Sequence, residues 1–232
     1  MANYWYETVT ALNGVKLHAI KTSPNNTTLT IINKNITNTS YFGINGGFFF
    51  NQDILSMAVI NNKPLKGNPG DYGSGWYNHN SQGGTIQRGT IIWDPVTREY
   101  KLRRLKTAAD IQNLNLVQDL NNYWARGGVS MTLQDDANWY SIAQSEELPD
   151  LSTGRPRTGL VYNTGLNIWY IVTFSNATGK QFREAIKEKI GSGTLVDGIF
   201  LDGGGSTQIK CAEYANSGGG RSVVEIVRLI NK

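Results

Sequence analysis

The chain has 232 residues, a net charge of +4 and only 17 % charged residues. That length is enough for one domain with a substantial core, and no apolar run approaches the roughly 20 residues that a membrane-spanning helix needs. The single cysteine, Cys211, excludes a disulfide framework within the chain and suits a reducing compartment.

The first residues, MANYWYETVTALNG, have no basic start, no apolar core and no small-residue cleavage site, so a cytoplasmic protein without a leader is expected. Val15–Ile20 alternates as a strand does, with His18 on the face opposite Leu17, and His18 reads as a surface or sheet residue. Thr28–Ile32 is a β-branched strand. Tyr41–Phe50 then sets one polar side chain, Asn45, between an apolar run and Gly46-Gly47, followed by a wall of phenylalanines. A core strand with a turn explains the aromatics but not the asparagine.

Residues 66–84 are rich in Gly and Asn and read as a long loop, a kind of segment that is often functional in a compact domain. The loop carries His79, a candidate ligand contact. Thr90–Trp93 is a strand, and Lys101, Arg103, Arg104 and Lys106 alternate as the solvated face of another rather than as a nucleic-acid patch. From Thr107, a plausible N-cap, the stripe Ile111, Leu114, Val117 and Leu120 predicts a helix. The acidic pairs Asp135-Asp136 and Glu146-Glu147 lie in polar stretches and are expected to be solvated.

Gly154–Gly159 brackets Pro156 with Arg155 and Arg157 at the opening of a strand, and a planar guanidinium suits phosphate or carboxylate. Asn167–Phe174 is a further strand. Phe182, Ala185, Ile186 and Ile190 recur at helical spacing from about Gly179, with Gly191 as the stop. Gly198–Leu201 is short and wholly apolar, as in a strand buried on both faces. It delivers Asp202 into Gly203-Gly204-Gly205, then Ser206 and Thr207. Glycines let a ligand approach the backbone, and successive N–H groups make a concave anion site. Ser222–Leu229 closes the chain as a strand. The pattern is α+β: a single sheet-rich domain over 1–232, mixed or antiparallel, with two or more packed helices.

No phosphate-binding P-loop, nucleophile elbow or metal-protease motif is present. What is present resembles the phosphodiester glycosidase family across residues 40–230. The matching segments are Asn45–Phe49, Gly127-Gly128, Arg157-Thr158 and, most specifically, Leu201–Ser206. The resemblance implies cleavage of a small phosphodiester between a sugar's anomeric carbon and a phosphate oxygen. Asp202 would stabilise or attack an oxocarbenium-like centre. Arg157 and the Gly203–Gly205 amides would neutralise the phosphate, and Asn45 would orient a sugar hydroxyl or the phosphate. Gly46, Gly47, Thr158, Ser206, Thr207 and His79 would complete the binding surface. A phosphomonoester leaves as a stable anion, so no cofactor is required.

Two other readings stay open. One is a phosphodiesterase cutting a cyclic or dinucleotide signal, such as a phage product that disarms a host. His79 would then act as general acid, and Asp202 with Asp197 or Glu213 would hold a divalent metal. The other is a sugar- or nucleotide-binding protein without turnover. Neither membrane nor polymeric nucleic acid is an expected partner.

Overall fold

The computed structural model describes residues 3–232; Met1 and Ala2, which begin the segment read for a leader, lie outside it. The described residues form three large antiparallel sheets and one two-stranded ribbon. The central sheet has six strands, in the order Tyr4–Thr10, Lys16–Thr22, Ile168–Ala177, Arg155–Asn163, Leu195–Phe200 and Val129–Ser130. A five-stranded sheet runs Glu99–Leu105, Arg88–Asp94, Trp124–Gly127, Ala58–Ile60 and Lys63–Pro64. The other five-stranded sheet runs Ala215–Asn216, Ile209–Lys210, Gly43–Asn45, Val223–Leu229 and Thr27–Lys34. The α+β expectation holds, and every strand pairing within these sheets is antiparallel.

The six-stranded sheet is buried on both faces. On one, Leu17, Val161 and Ile171 meet the helix residues Phe182, Ala185 and Ile186. On the other, Ile20, Leu160 and Ile199 meet Ile44 and Val227 of one smaller sheet and Ile91 and Trp93 of the other. This explains why its strands are apolar in continuous runs: Phe200 packs in the first layer, Ile199 and Leu201 in the second. Of the two places expected for His18, surface or sheet, the sheet holds: it lies in Lys16–Thr22, buried, stacked on Tyr214 at 4.3 Å and bonded to the Tyr6 hydroxyl at 2.8 Å. Burial lowers its pKa to about 4.

Three α-helices are present among the described residues. Gly179–Lys189 forms as the apolar spacing predicts, opened by a capping box in which Thr178 and Gln181 satisfy each other's backbone N–H groups. Thr178→Ala should cost about 1 kcal/mol in a urea titration. Trp139–Ser145 was not legible in the sequence. The helix expected from Thr107 reaches only from Ala109 to Asn113, capped at its start by Ala108 without a side-chain bond. Asn115 takes a left-handed backbone (φ 50°), and the Asp94 carboxylate captures the Gln118 N–H at 2.8 Å, so the chain turns away and leaves Leu114 exposed. No helix among the described residues is long and apolar enough to cross a membrane.

Candidate active site

Asp202 lies just past the strand Leu195–Phe200, where the ends of the six-stranded sheet and of the strand Gly43–Asn45 converge. Its backbone is pinned from both sides. Asp202 N–H donates to the Gly46 carbonyl at 3.3 Å, and the Asp202 carbonyl accepts from Asn45 Nδ2 at 2.8 Å. Leu201 N–H donates to the Thr158 carbonyl at 2.8 Å. The three segments singled out in the sequence therefore meet at one point.

Asn45 occupies the centre of that junction. Its Oδ1 accepts from the Thr158 hydroxyl (2.9 Å) and from Gln208 N–H (3.2 Å); its Nδ2 donates to the carbonyls of Asp202 and Gly46. An amide has two donors and two acceptor positions, and all four are used. The expectation that Asn45 contacts the substrate is thus corrected: it is 1 % exposed and positions Asp202. Thr158 and Thr207, whose hydroxyls lie 3.3 Å apart, are buried in the same network.

Gly46 and Gly47 also serve a purpose the sequence did not announce. A Cβ on Gly46 would fall 2.0 Å from Glu225 Oε1, and one on Gly47 would fall 1.6 Å from Arg126 Nη2. The glycines make room for a buried ion pair, Arg126 Nη1 to Glu225 Oε1 at 2.7 Å, whose carboxylate also accepts Gly47 N–H at 2.7 Å. Both are buried glycines that hold the layer beneath the site.

A cavity of about 330 Å³ opens above Asp202, lined among others by Phe48, Arg155, Arg157, Gly203, Gly205 and Arg221. Burial pushes the Asp202 carboxyl up to about 6, against the Ser206 hydroxyl, the Arg221 charge and the Gly203 N–H, which pull it down. Gly203 N–H donates to Oδ1 at 3.0 Å. Arg221, which the sequence reading missed, is exposed, lies over the Phe49 ring at 5.1 Å and reaches the Ser206 hydroxyl at 3.4 Å. Its signal was Gly218-Gly219-Gly220-Arg221, a second glycine run ending in a cation. Gly218 (φ +56) sits so close to the Thr207 carbonyl that a Cβ would lie 2.1 Å from it, which brings the two glycine runs together.

Arg157 lines the cavity, but its guanidinium is largely committed. Nε donates to the Ala177 carbonyl, Nη1 to Pro149, and Nη2 to Asp150 and Thr153. One of its five N–H groups remains free to meet a ligand, along with its charge. Its fork holds the segment 149–153 as a cavity wall. Arg157→Lys keeps the charge and loses the fork; it should destabilise the fold by about 2 kcal/mol and speed amide exchange at Asp150–Thr153.

A second cavity of about 490 Å³ shares Phe48, Leu148, Pro149 and Asp202 with the first and extends to His79 and Arg88. His79 thus comes to the same concave region as Asp202. Burial lowers its pKa, against the nearby Gly83 and Gly84 carbonyls. The acidic pair at 146–147 is not simply solvated. Glu146 is fully buried, accepting from Gly89 and Ser130 N–H, the Ser130 hydroxyl and Arg104. Glu147 faces the second cavity and accepts Ser81 N–H at 2.8 Å.

Asp197 and Glu213 do not join Asp202. Asp197 accepts from Leu133 and Gly198 N–H, five residues back along an extended chain, or roughly 16 Å. Glu213 accepts from the Tyr4 hydroxyl at 2.8 Å. Among the described residues no group of three or more His, Cys, Asp or Glu side chains comes together as a metal-binding cluster.

No family model matches the chain, and no curated protein matches it in sequence. Solved structures do. The catalytic domain of zebrafish N-acetylglucosamine-1-phosphodiester alpha-N-acetylglucosaminidase, auto-inhibited by its pro-peptide, superposes with a TM-score of 0.61 over 100 % of this chain and 83 % of that one, at 13 % identity. The two chains share a fold. A protein from Burkholderia pseudomallei K96243 follows at 0.53, with 10 % identity over 93 % of this chain and 74 % of that one. A hypothetical protein from Synechocystis gives 0.51 at 12 % identity, covering 97 % of this chain and 62 % of that one.

Proposed function

We propose that the chain is a hydrolase that cuts a sugar phosphodiester at the anomeric C–O bond, releasing the sugar and a phosphomonoester. The observation that carries this reading is the position of Asp202 on the floor of a cavity whose walls carry Arg155, Arg157 and Arg221. The zebrafish enzyme that shares this fold is named for the hydrolysis of such a bond.

In this reading the phosphate lies among Arg221, the free edge of Arg157 and the Gly204 and Gly205 N–H groups, because Gly203 N–H is already spent on Asp202 Oδ1. The C1–O bond breaks with its electron pair remaining on the phosphate oxygen, and water supplies the new oxygen on C1. Positive charge grows on the anomeric carbon, and the Asp202 carboxylate stabilises it. The leaving anion needs charge neutralisation rather than a proton, which arginines supply. The buried network of Asn45, Thr158 and Thr207 fixes the Asp202 backbone and so the direction of its carboxylate.

Cleavage of a P–O bond expels a sugar alkoxide and calls for a general acid. His79 shares a cavity with Asp202, which favours this second reading, but its lowered pKa leaves it neutral at pH 7 and a weak fit to that task. Product analysis separates the two. A sugar 1-phosphodiester, nucleotide sugars and cyclic dinucleotides are incubated with the protein, with and without EDTA. Free sugar and an intact phosphomonoester are expected; linearised nucleotides would move the activity to the P–O bond, and unchanged but bound substrates would leave a binding protein.

A further inference from the structure

The two cavities differ in chemistry. The one above Asp202 is walled by arginines and glycine backbone, whereas the other offers Phe48, Phe49, Leu55, Leu148 and Pro149 as apolar surface. A few polar groups rim it. Glu147, whose Oε2 accepts Ser81 N–H and lies 4.0 Å from Arg88 Nη2, keeps Oε1 as an acceptor, and Arg88, stacked over the Phe48 ring at 4.8 Å, supplies Nη donors beyond the Nε it spends on the Glu146 carbonyl. His79, 4 % exposed, has an Nδ1 without a hydrogen-bond partner.

The walls of this second cavity are built rather than incidental. Pro149 opens the segment that Arg157 clamps by its carbonyls, Leu148 immediately precedes it, and both line both cavities. The opposite wall, His79 to Ser81, comes from the long loop at residues 66–84, and Glu147 ties that loop across the gap through Ser81 N–H. Asp202 and Phe48 sit where the cavities join. An apolar slot with sparse, placed polar groups, opening beside an anion cradle, suits a flat ring with hydrogen-bonding edges attached near a phosphate.

We propose that the second cavity is a nucleobase subsite, so that the substrate is a phosphodiester with a nucleoside half. This rests on the anion-binding role of the arginine-lined cavity argued above. The phosphate occupies the arginine cradle, and the base packs against the Phe48, Leu148 and Pro149 surface with its edge toward Glu147 and Arg88.

Equilibrium binding of adenosine 5′-monophosphate, ribose 5-phosphate and inorganic phosphate to the full chain tests this without requiring turnover. The nucleotide should bind about tenfold or more tighter than ribose 5-phosphate, the size of effect that stacking of one base gives. Ser81→Trp fills the slot from an exposed position, so the fold tolerates it; it should abolish that preference and leave ribose 5-phosphate binding within about twofold. Equal affinity of the nucleotide and ribose 5-phosphate for the wild type overturns the proposal, as does absence of nucleotide binding or an equal loss of both ligands in Ser81→Trp. A retained base preference in a protein that hydrolyses no phosphodiester would leave the subsite standing and remove only the hydrolase reading.

Discussion

Asp202→Asn is expected to lower kcat by about a thousandfold or more while making the folded protein more stable at neutral pH. The two effects have one cause. Burial raises the carboxyl from its ordinary value near 3.8 to about 6, so its ionised form is held at a cost that the rest of the fold offsets. A displacement of that size corresponds to about 3 kcal/mol, an upper bound for a side chain the cavity leaves partly exposed. Because the folded value is raised, the native state binds the extra proton between about pH 4 and 6. Wild-type stability therefore falls as pH rises across that window, and the variant gains on it progressively there and keeps the full gain at neutral pH. Below pH 4 the two should unfold together. The asparagine keeps the Gly203 N–H bond to Oδ1, and the Asn45 bond goes to a backbone carbonyl, so the local structure survives. In the wild type, kcat/KM should rise with pH through about 6 and level off, since the carboxylate is the active form. Urea titrations and pH–rate profiles of both proteins check these expectations. A variant that loses stability at pH 7, or that turns over at the wild-type rate, would remove Asp202 from its assigned role.

The second large effect concerns the layer beneath the site. Glu225→Gln leaves Arg126, 0 % exposed, as a buried cation without its counter-charge, which typically costs about 3–5 kcal/mol. Arg126 Nη1 and Nη2 and Glu225 Oε2 have no hydrogen-bond partners beyond the pair itself, so little else remains to hold the charge. Burial already depresses the Arg126 pKa, and Glu225 and Asp202 oppose that. The loss should show at the site as well as in the unfolding curve. Glu225 contributes to the raised Asp202 pKa, so removing its charge moves the acidic limb of the pH–rate profile downward. An apolar double replacement, Arg126→Met with Glu225→Leu, should recover most of the stability without restoring the profile. A single variant as stable as the wild type would show that the pair does not carry the layer under Gly46 and Gly47.

Much of this architecture was legible because its local rules agree with its global ones. The apolar run at Gly198–Leu201 is buried on both faces, and the stripe through Phe182, Ala185 and Ile186 is a helix packed on the sheet. The stripe from Thr107 misled because its period continues past Asn113 while the backbone does not; a left-handed asparagine and a distant aspartate decide the turn. At the site, the segments around Asn45, Arg157 and Asp202 were recognisable as special, and they do converge. Their division of labour was not legible, because it depends on who fills each hydrogen bond. Asn45 spends all of its capacity on the backbone and on Thr158, and Arg157 most of its own on a loop. The Arg126–Glu225 pair left only faint traces, Arg126 in Trp124–Gly127 and Glu225 in the mostly apolar strand Val223–Leu229. Only the fold shows that the two charges meet, and that the glycines after Asn45 exist to admit them.

The most direct test of the central claim is hydrolysis in ¹⁸O-labelled water, with a sugar 1-phosphodiester bearing a nucleoside as substrate. Cleavage at the anomeric carbon places the label in the released sugar and leaves the phosphomonoester unlabelled, which is the expected result. Label in the phosphate would mean that the P–O bond is broken, and the role given to Asp202 would be wrong; the phosphate decides, because a free anomeric hydroxyl also exchanges with water.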